Sequence, residues 1–187
     1  MPAIDTATPG VLAAACELAL RPLVGQRFRK LGRAGLVWLS FGDEREVETL
    51  RGGTRIVNRY ALHLQCPFRL RDASAVLVAA SDRYADRVNP QDTNEDFDWD
   101  PIGASWFDLR AEVLNGRLDQ ETANVRSVEV DPVGGFRLAL DGGLVLDVLP
   151  ATSYPREHWR IFEYGAGGMH FVLFERDYCR GPTPSVQ

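Results

Sequence analysis

The sequence predicts an α+β domain in which an N-terminal helix packs on an antiparallel β-sheet or a partly open barrel. A stripe of apolar residues at helical spacing occupies the start of the chain, before Gly25. Short apolar runs follow, separated by glycine-rich turns such as "RGGT" and "DGG", which are typical of β-hairpins. Counting these runs gives about eight to ten strands.

Length and composition favour one domain spanning residues 1–187. The chain has 187 residues, 45% of them hydrophobic and 25% charged, which suits a globular protein with a sizeable core and excludes disordered and collagen-like classes. The net charge of -5 argues against general nucleic-acid binding, because phosphate recognition requires clustered, uncompensated Lys and Arg. A basic protein is the better-matched partner.

The cysteines and the chain start indicate a cytoplasmic protein. Cys16, Cys66 and Cys179 form no C-x-x-C pair, so neither a zinc ribbon nor a disulfide framework is expected. The first ten residues carry no basic segment and so do not resemble a secretory signal. The apolar run after them is interrupted by Glu17 and Arg21 and is too short to span a membrane. We expect no metal, cofactor or membrane contact, and the oligomeric state stays open.

The first element is a predicted helix at residues 9–24. Thr8 is a suitable N-cap, Pro9 a suitable first-turn residue and Gly25 a suitable stop. The stripe that should pack on the sheet comprises Leu12, Cys16, Ala19, Leu20 and Leu23.

Four segments complete the predicted domain. A first β-meander covers residues 26–81, and an acidic loop with a short helix covers residues 89–120, the helix being placed at Ser105 to Leu114. A second β-meander covers residues 125–177, and residues 178–187 form a tail.

The stretch "YALHLQCPFRL", Tyr60 to Leu70, raises the question of a catalytic Cys/His pair. In a strand, side chains alternate between faces, and the even positions from Thr54 to Leu70 are mostly apolar. His63 and Cys66 therefore point to opposite faces and cannot form a nucleophile and base pair unless a bulge at Pro67 intervenes. We expect Cys66 to be buried and inert.

The odd positions of the same stretch form a polar, mainly basic face that is a candidate anion site, comprising Arg55, Arg59, His63 and Arg69. The alternative is a ladder of compensating charges. If Gly52 and Gly53 form a two-residue turn, Glu46 lies opposite Arg59. We favour the ladder over the anion site.

The last predicted hairpin contains two acid–histidine pairs. With "GAGG" as its loop, Glu163 lies opposite His170 and His158 lies opposite Glu175. A carboxylate that orients a histidine is typical of a general base, but no nucleophile or third metal ligand can be assigned beside either pair. We favour structural pairs and keep Glu163 and His170 as candidate ligand-binding residues.

The acidic loop is a candidate partner-binding segment, with Trp99 as its aromatic contact and five acids as steering charges: Asp92, Glu95, Asp96, Asp98 and Asp100. It is not an EF-hand, because Phe97 stands where the loop needs glycine and Gly103 where it needs glutamate. The alternative is a solvated linker whose aromatics fold back on the core.

Several motifs together resemble a group of uncharacterised bacterial proteins. They are "YALHLQCPFRL", "AASDRY", "LVLDVLP" and "EHWRIFEYG" followed by "HFVLFE", and the resemblance runs from about Leu36 to Arg176. Members carry a strand of the form aLHhQCPWR and a terminal E-x-WR-x-F strand, and related small proteins are suspected immunity partners of bacterial toxins. This chain has Phe68 where that pattern has tryptophan. The resemblance implies no catalytic residues.

Two functions remain open from the sequence. The first is a non-enzymatic binding protein, one form of which is an immunity-type partner that masks a basic toxin surface. The second is a small-molecule pocket, with or without enzymatic activity, on the β-sheet scaffold. Nucleotide-binding loops, zinc-protease motifs and hydrolase elbows are absent from the sequence.

Overall fold

The computed structural model describes residues 10–49, 52–91, 97–165 and 170–174, and the backbone of residues 178–180. In this part of the chain two helices and eleven strands form a mixed α+β architecture with two antiparallel sheets, which confirms the predicted fold class. The sheets do not close into a barrel. The six-stranded sheet has the order β1-β2-β3-β9-β10-β11 and the five-stranded sheet the order β5-β4-β8-β7-β6.

Five of the eleven strands precede residue 80, and six follow residue 124. The first five are β1 Phe28–Ala34, β2 Leu36–Glu48, β3 Thr54–Leu64, β4 Phe68–Arg71 and β5 Val76–Ala79. The others are β6 Val125–Val130, β7 Phe136–Leu140, β8 Val145–Val148, β9 Glu157–Glu163, β10 His170–Phe174 and β11 Tyr178–Arg180.

The N-terminal helix α1 is Val11–Leu20, and a 3-10 turn at Arg21–Leu23 extends it. Gly10, at a φ of 89°, precedes its first residue; the predicted cap at Thr8 and Pro9 lies outside the described residues. The predicted stripe is on the buried side, with Cys16, Leu20 and Leu23 fully enclosed. Burial of this stripe, rather than a strong cap, therefore stabilises α1.

The middle helix α2 is Trp106–Gln120 and confirms the predicted short helix, which it extends beyond Leu114. Ser105 is its N-cap: its Oγ accepts a hydrogen bond from the Asp108 amide, while the Asp108 carboxylate accepts one from the Ser105 amide. This reciprocal capping box satisfies two amides at the helix start. The buried face of α2 comprises Phe107, Ala111, Leu114 and Leu118.

Each predicted β-meander contributes strands to both sheets. The chain passes from β3 to β4 through Gln65–Pro67, and it returns from β8 to β9 through residues 149–156. Hydrogen bonds hold the first crossing in place, because the Gln65 amide donates to His158 and the Pro67 carbonyl accepts from Leu149. Both sheets and both helices supply one continuous hydrophobic core.

The register of β2 on β3 differs from the predicted one. Glu46 lies opposite Ile56, not opposite Arg59. Thr49 and Gly53 are joined by a backbone hydrogen bond across the turn, so the connection is longer than two residues. A bulge at Gly42, whose φ is 82°, adds one further residue to β2 between Phe41 and Glu44. The longer connection makes the predicted Glu46–Arg59 pair wrong, whereas the bulge lies beyond Glu46 and does not change its partner.

The last described residues add a strand to the six-stranded sheet. Tyr178–Arg180, which begin the predicted tail of residues 178–187, pair with β10 as β11, so that part of the tail belongs to the sheet. Among the described helices, neither is long and apolar enough to cross a membrane.

Candidate functional site

Cys66 is buried, as the sequence predicts, and it is separated from His63 by the end of β3. The thiol lies at the crossing between the sheets with 7% of its surface exposed. Burial raises its pKa to about 12, so the thiol stays protonated at neutral pH. His63 instead packs edge-on against Phe162, with ring centroids 4.8 Å apart. The structure therefore does not assemble a Cys/His nucleophile pair from this stretch.

The six predicted ligand-binding residues do not form one site. Arg69 lies on β4, in the five-stranded sheet, where its Nε donates to Asp147 at 3.0 Å. The others belong to the six-stranded sheet, where they form two groups: Arg55, Arg59 and Glu163 near Tyr164, and His63 with His170 around Phe162.

Glu163 neutralises arginines rather than orienting a histidine. Its Oε1 accepts hydrogen bonds from Arg59 at 2.8 Å and from Arg45 at 3.1 Å. Arg59 is thus compensated by a carboxylate of β9, and Arg55 stacks over the Tyr164 ring at 5.5 Å. The charge of Arg59 is therefore compensated, as the charge-ladder interpretation expects, but the acidic partner is Glu163 and not Glu46.

The predicted Glu163–His170 pair is wrong because the β9–β10 register is shifted by one residue. His170 lies opposite Phe162 and its ring stacks on Phe162, with centroids 4.8 Å apart and an interplanar angle of 3°. A shift of one residue moves a side chain to the other face of a strand. The His158–Glu175 pair lies partly outside the described residues, since Glu175 is not among them.

His63 and His170 are therefore packing groups on either side of Phe162. Burial lowers the pKa of both imidazoles, and the positive charge of Arg160 lowers each further. For His63, Glu157 acts in the opposite direction. Both rings consequently favour their neutral form at pH 7.

The acidic segment is described only from Phe97 onward. Asp92, Glu95 and Asp96 lie outside the described residues, while Asp98 and Asp100 are exposed. The Trp99 ring is 36% exposed. It contacts Tyr84 edge-on at 5.1 Å and lies beneath the Arg83 guanidinium at 5.9 Å. Trp99 therefore folds back onto the protein and keeps one side open to solvent.

A cleft of about 430 Å³ opens where the two sheets diverge. Its walls come from four places: Gly35–Val37 at the β1–β2 turn, Leu64–Phe68 at the first crossing, four residues of the 3-10 turn (Ala80, Ser81, Arg83 and Tyr84, but not Asp82), and Arg156 just before β9. Volumes of roughly 300–1,000 Å³ with mostly apolar walls are typical of small-molecule sites. His63 and His170 do not line this cleft.

The charged groups that line the cleft are two arginines. Arg156 donates to the Gln65 carbonyl at 3.1 Å and to the Tyr154 hydroxyl at 2.9 Å, which fixes its guanidinium at the junction of the two crossings. Arg83 donates to the Tyr84 hydroxyl at 2.8 Å. Among the described residues that line the cleft there is no carboxylate and no histidine. An anionic group therefore meets positive charge without a competing acid.

The same lining is poorly equipped for catalysis. The nucleophilic candidates are Cys66, whose thiol pKa is about 12, and Ser81. Neither has a general base among the described lining residues, and an unactivated hydroxyl or thiol is a weak nucleophile. The arrangement supports binding.

Sequence reasoning missed Arg83 and Arg156 as site residues. Arg83 lies within "AASDRY", but its position at the cleft depends on how the 3-10 turn packs against α2. Hydrogen bonds on either side of the turn join it to α2: the Trp106 amide donates to the carbonyl of Ala85, just after the turn, and Arg110 donates to the carbonyl of Leu77 on β5. Arg156 precedes a predicted strand, and only the pairing of β9 with β3 brings it to Gln65. Single-sequence patterns contain no signal for either contact.

Comparison with known proteins assigns no family to this chain. The chain matches no protein-family model, and it shows no significant similarity to a curated protein or to a solved structure.

Proposed function

We propose that this protein is a non-enzymatic binding protein that takes a small amphipathic anion into the cleft between its two sheets. The observation that supports this most strongly is the cleft of about 430 Å³ with Arg83 and Arg156 as its charged lining. An apolar body would pack on Leu36, Pro67 and Tyr84, which line the cleft and are accessible, and its carboxylate, sulfonate or phosphate group would accept hydrogen bonds from the guanidiniums.

The positions of both arginines are favourable for such recognition. Each guanidinium is held by a tyrosine hydroxyl, so less side-chain freedom is lost when an anion binds. Hydrogen bonds to charged groups contribute about 1.5–3 kcal/mol each. Loss of one arginine should therefore weaken binding about tenfold or more.

A pair of fluorescent probes tests this proposal. The first is 8-anilinonaphthalene-1-sulfonate, and the second is N-phenyl-1-naphthylamine, which has the same aromatic body without the sulfonate. We expect the wild-type protein to bind the sulfonate more tightly. Arg83→Ala and Arg156→Gln should each weaken sulfonate binding about tenfold and leave the neutral probe unchanged.

Arg29→Ala is the matched control, because Arg29 is an arginine outside the cleft whose partner Asp43 is 94% exposed. It should leave both affinities unchanged. Equal binding of the two probes by the wild-type protein, or equal sulfonate affinity in the wild-type protein and both cleft variants, would contradict the proposal.

A second candidate function is recognition of a basic protein, as an immunity-type partner would require. It is favoured by Asp98 and Asp100, which are exposed on either side of Trp99, whose side chain is about one third exposed. Acidic groups steer a basic partner and a central aromatic ring supplies short-range affinity. Replacing Asp98 and Asp100 with Asn should weaken capture of a basic partner and reduce its salt dependence. Unchanged affinity and salt dependence would exclude this segment as the interface.

A further inference from the structure

The outer face of the five-stranded sheet carries three arginines around one aspartate. Arg69 of β4, Asp147 of β8 and Arg137 of β7 lie directly opposite one another across adjacent strands. Arg71, two residues along β4, reaches the same carboxylate. The Nε atoms of Arg69, Arg71 and Arg137 donate to Asp147 at 3.0, 3.2 and 2.7 Å respectively.

Asp147 is buried, and the arginines around it are accessible. The Asp147 side chain is 7% exposed, whereas those of Arg69, Arg71 and Arg137 are 49%, 31% and 46% exposed. Each arginine uses its Nε for Asp147. Within the described residues, none of their Nη atoms makes a hydrogen bond. The ends of three guanidiniums therefore face solvent with their donors available.

Among the groups in direct contact, three cations share one carboxylate, which is an excess of two positive charges. Glu129, opposite Arg137 on β6, and Asp131, in the groove beside it, offset part of that excess on the Arg137 side. Asp147 also holds the guanidiniums in fixed directions, so that an incoming anion loses less of their rotational freedom than with unrestrained arginines.

A groove of about 260 Å³ extends from this row along β7 and β8. Its charged lining is Arg137 together with the carboxylates of Glu129, Asp131 and Asp147, and Leu149 is its accessible apolar side chain. Leu149 is 50% exposed. Because three carboxylates line it, the groove provides space for a neutral or positively charged substituent attached to an anion that is held by the arginines.

We propose that Arg69, Arg71 and Arg137 form a second anion site, separate from the cleft, which binds a phosphate group that is free or carried by a small ester. A tetrahedral oxyanion has enough oxygens to accept hydrogen bonds from more than one guanidinium, and Arg pairs with phosphate in a bidentate geometry. Asp147 is a positioning residue, because both of its oxygens already accept hydrogen bonds from the arginines.

Isothermal titration of the full chain with inorganic phosphate tests this site, with sodium chloride at matched ionic strength as the reference. We expect saturable phosphate binding that Arg137→Ala weakens about tenfold or more. Arg137→Lys keeps the positive charge but loses the planar guanidinium that can donate two parallel hydrogen bonds. This variant should bind phosphate with an affinity between those of the wild-type protein and Arg137→Ala. Phenyl phosphate distinguishes the two ligand forms: tighter binding than inorganic phosphate assigns an ester, and equal binding assigns the free ion.

Arg126→Ala is the matched control, since Arg126 lies on β6 of the same sheet and pairs with Asp141. It should bind phosphate as the wild-type protein does. Thermal unfolding provides a second readout: phosphate should raise the midpoint of the wild-type protein and of Arg126→Ala, but not that of Arg137→Ala. Equal effects of phosphate and chloride, or phosphate binding that Arg137→Ala leaves intact and Arg156→Gln removes, would overturn the proposal.

Discussion

Arg33 and Asp108 form a buried, two-point ion pair between β1 and the start of α2. The Arg33 Nε and Nη2 atoms donate to the two carboxylate oxygens at 2.8 and 2.7 Å, and the side chains are 6% and 9% exposed. Burial alone would raise the pKa of Asp108, but hydrogen bonds from Arg33 and Ser105 outweigh that effect and lower the pKa to about 2. The pair fixes α2, on which the Ala80–Tyr84 wall of the cleft packs.

Arg33→Ala should destabilise the fold strongly. It leaves the Asp108 carboxylate buried without its cation, and breaking a buried pair from one side costs about 3–5 kcal/mol. Urea denaturation at pH 7 would measure the change in the free energy of unfolding. Arg29→Ala, which removes an arginine from an exposed pair, should cost less than about 1 kcal/mol. A similar small cost for both variants would show that the Arg33–Asp108 pair is not a buried anchor.

A double-mutant cycle tests the partner of Arg59. Arg59 and Glu163 are in contact at 2.8 Å, with side chains about one third exposed, so the Arg59→Ala and Glu163→Ala cycle should give a coupling energy of about 0.2–1 kcal/mol. The Arg59→Ala and Glu46→Ala cycle should give a coupling energy near zero. A measurable coupling energy between Arg59 and Glu46, with none between Arg59 and Glu163, would contradict the observed register and support the two-residue turn predicted from the sequence.

Cys66 should react slowly with thiol reagents in the native state. The thiolate is the reactive form, and a thiol whose pKa burial raises to about 12 is almost entirely protonated at pH 8. Peptide mapping by mass spectrometry after labelling would assign the modification to Cys66 separately from the other cysteines. We expect labelling to appear only with denaturant, and rapid native labelling would contradict the buried position.

His63 and His170 should titrate below the ordinary histidine range. Burial and the charge of Arg160 lower both pKa values, so the unfolded chain binds protons more readily than the folded one. Their contribution to stability is therefore present above about pH 6.5 and is lost as the pH falls below it. NMR titration of the imidazole resonances measures both pKa values directly. Phe162→Ala opens the site between the rings and should move both pKa values upward, whereas ordinary values in the wild-type protein would contradict the packing.

The sequence predicted elements well where a local pattern decides the structure. The stripe of α1, the helix that begins after Ser105 and the buried even positions of β3 from Tyr60 to Leu64 each depend on residues close together in the chain, whereas Thr54 and Ile56, at even positions near the turn, are exposed. The strand pairings failed where the length of a connection decides them. The β2–β3 connection is longer than the predicted two residues, which places Glu46 opposite Ile56, and the β9–β10 pairing is displaced by one position.

The candidate sites were harder to predict because they form across long sequence separations. Arg156 reaches Gln65, and Arg69 shares Asp147 with Arg137, only after the chain has crossed between the sheets twice. One signal was present in the sequence: Asp147 interrupts the apolar run "LVLDVL", and a charge placed in a buried strand requires a partner. The identity of that partner was not contained in any local pattern.

An NMR titration with 8-anilinonaphthalene-1-sulfonate tests the anion-binding cleft most directly. Backbone amide spectra locate the bound probe residue by residue without any substitution. We expect saturable shifts at cleft residues such as Gly35, Cys66 and Ser81, together with the Nε resonance of Arg156. Shifts confined to the outer sheet faces, around Phe162 or Asp147, or no saturable shifts at the cleft, would contradict this expectation.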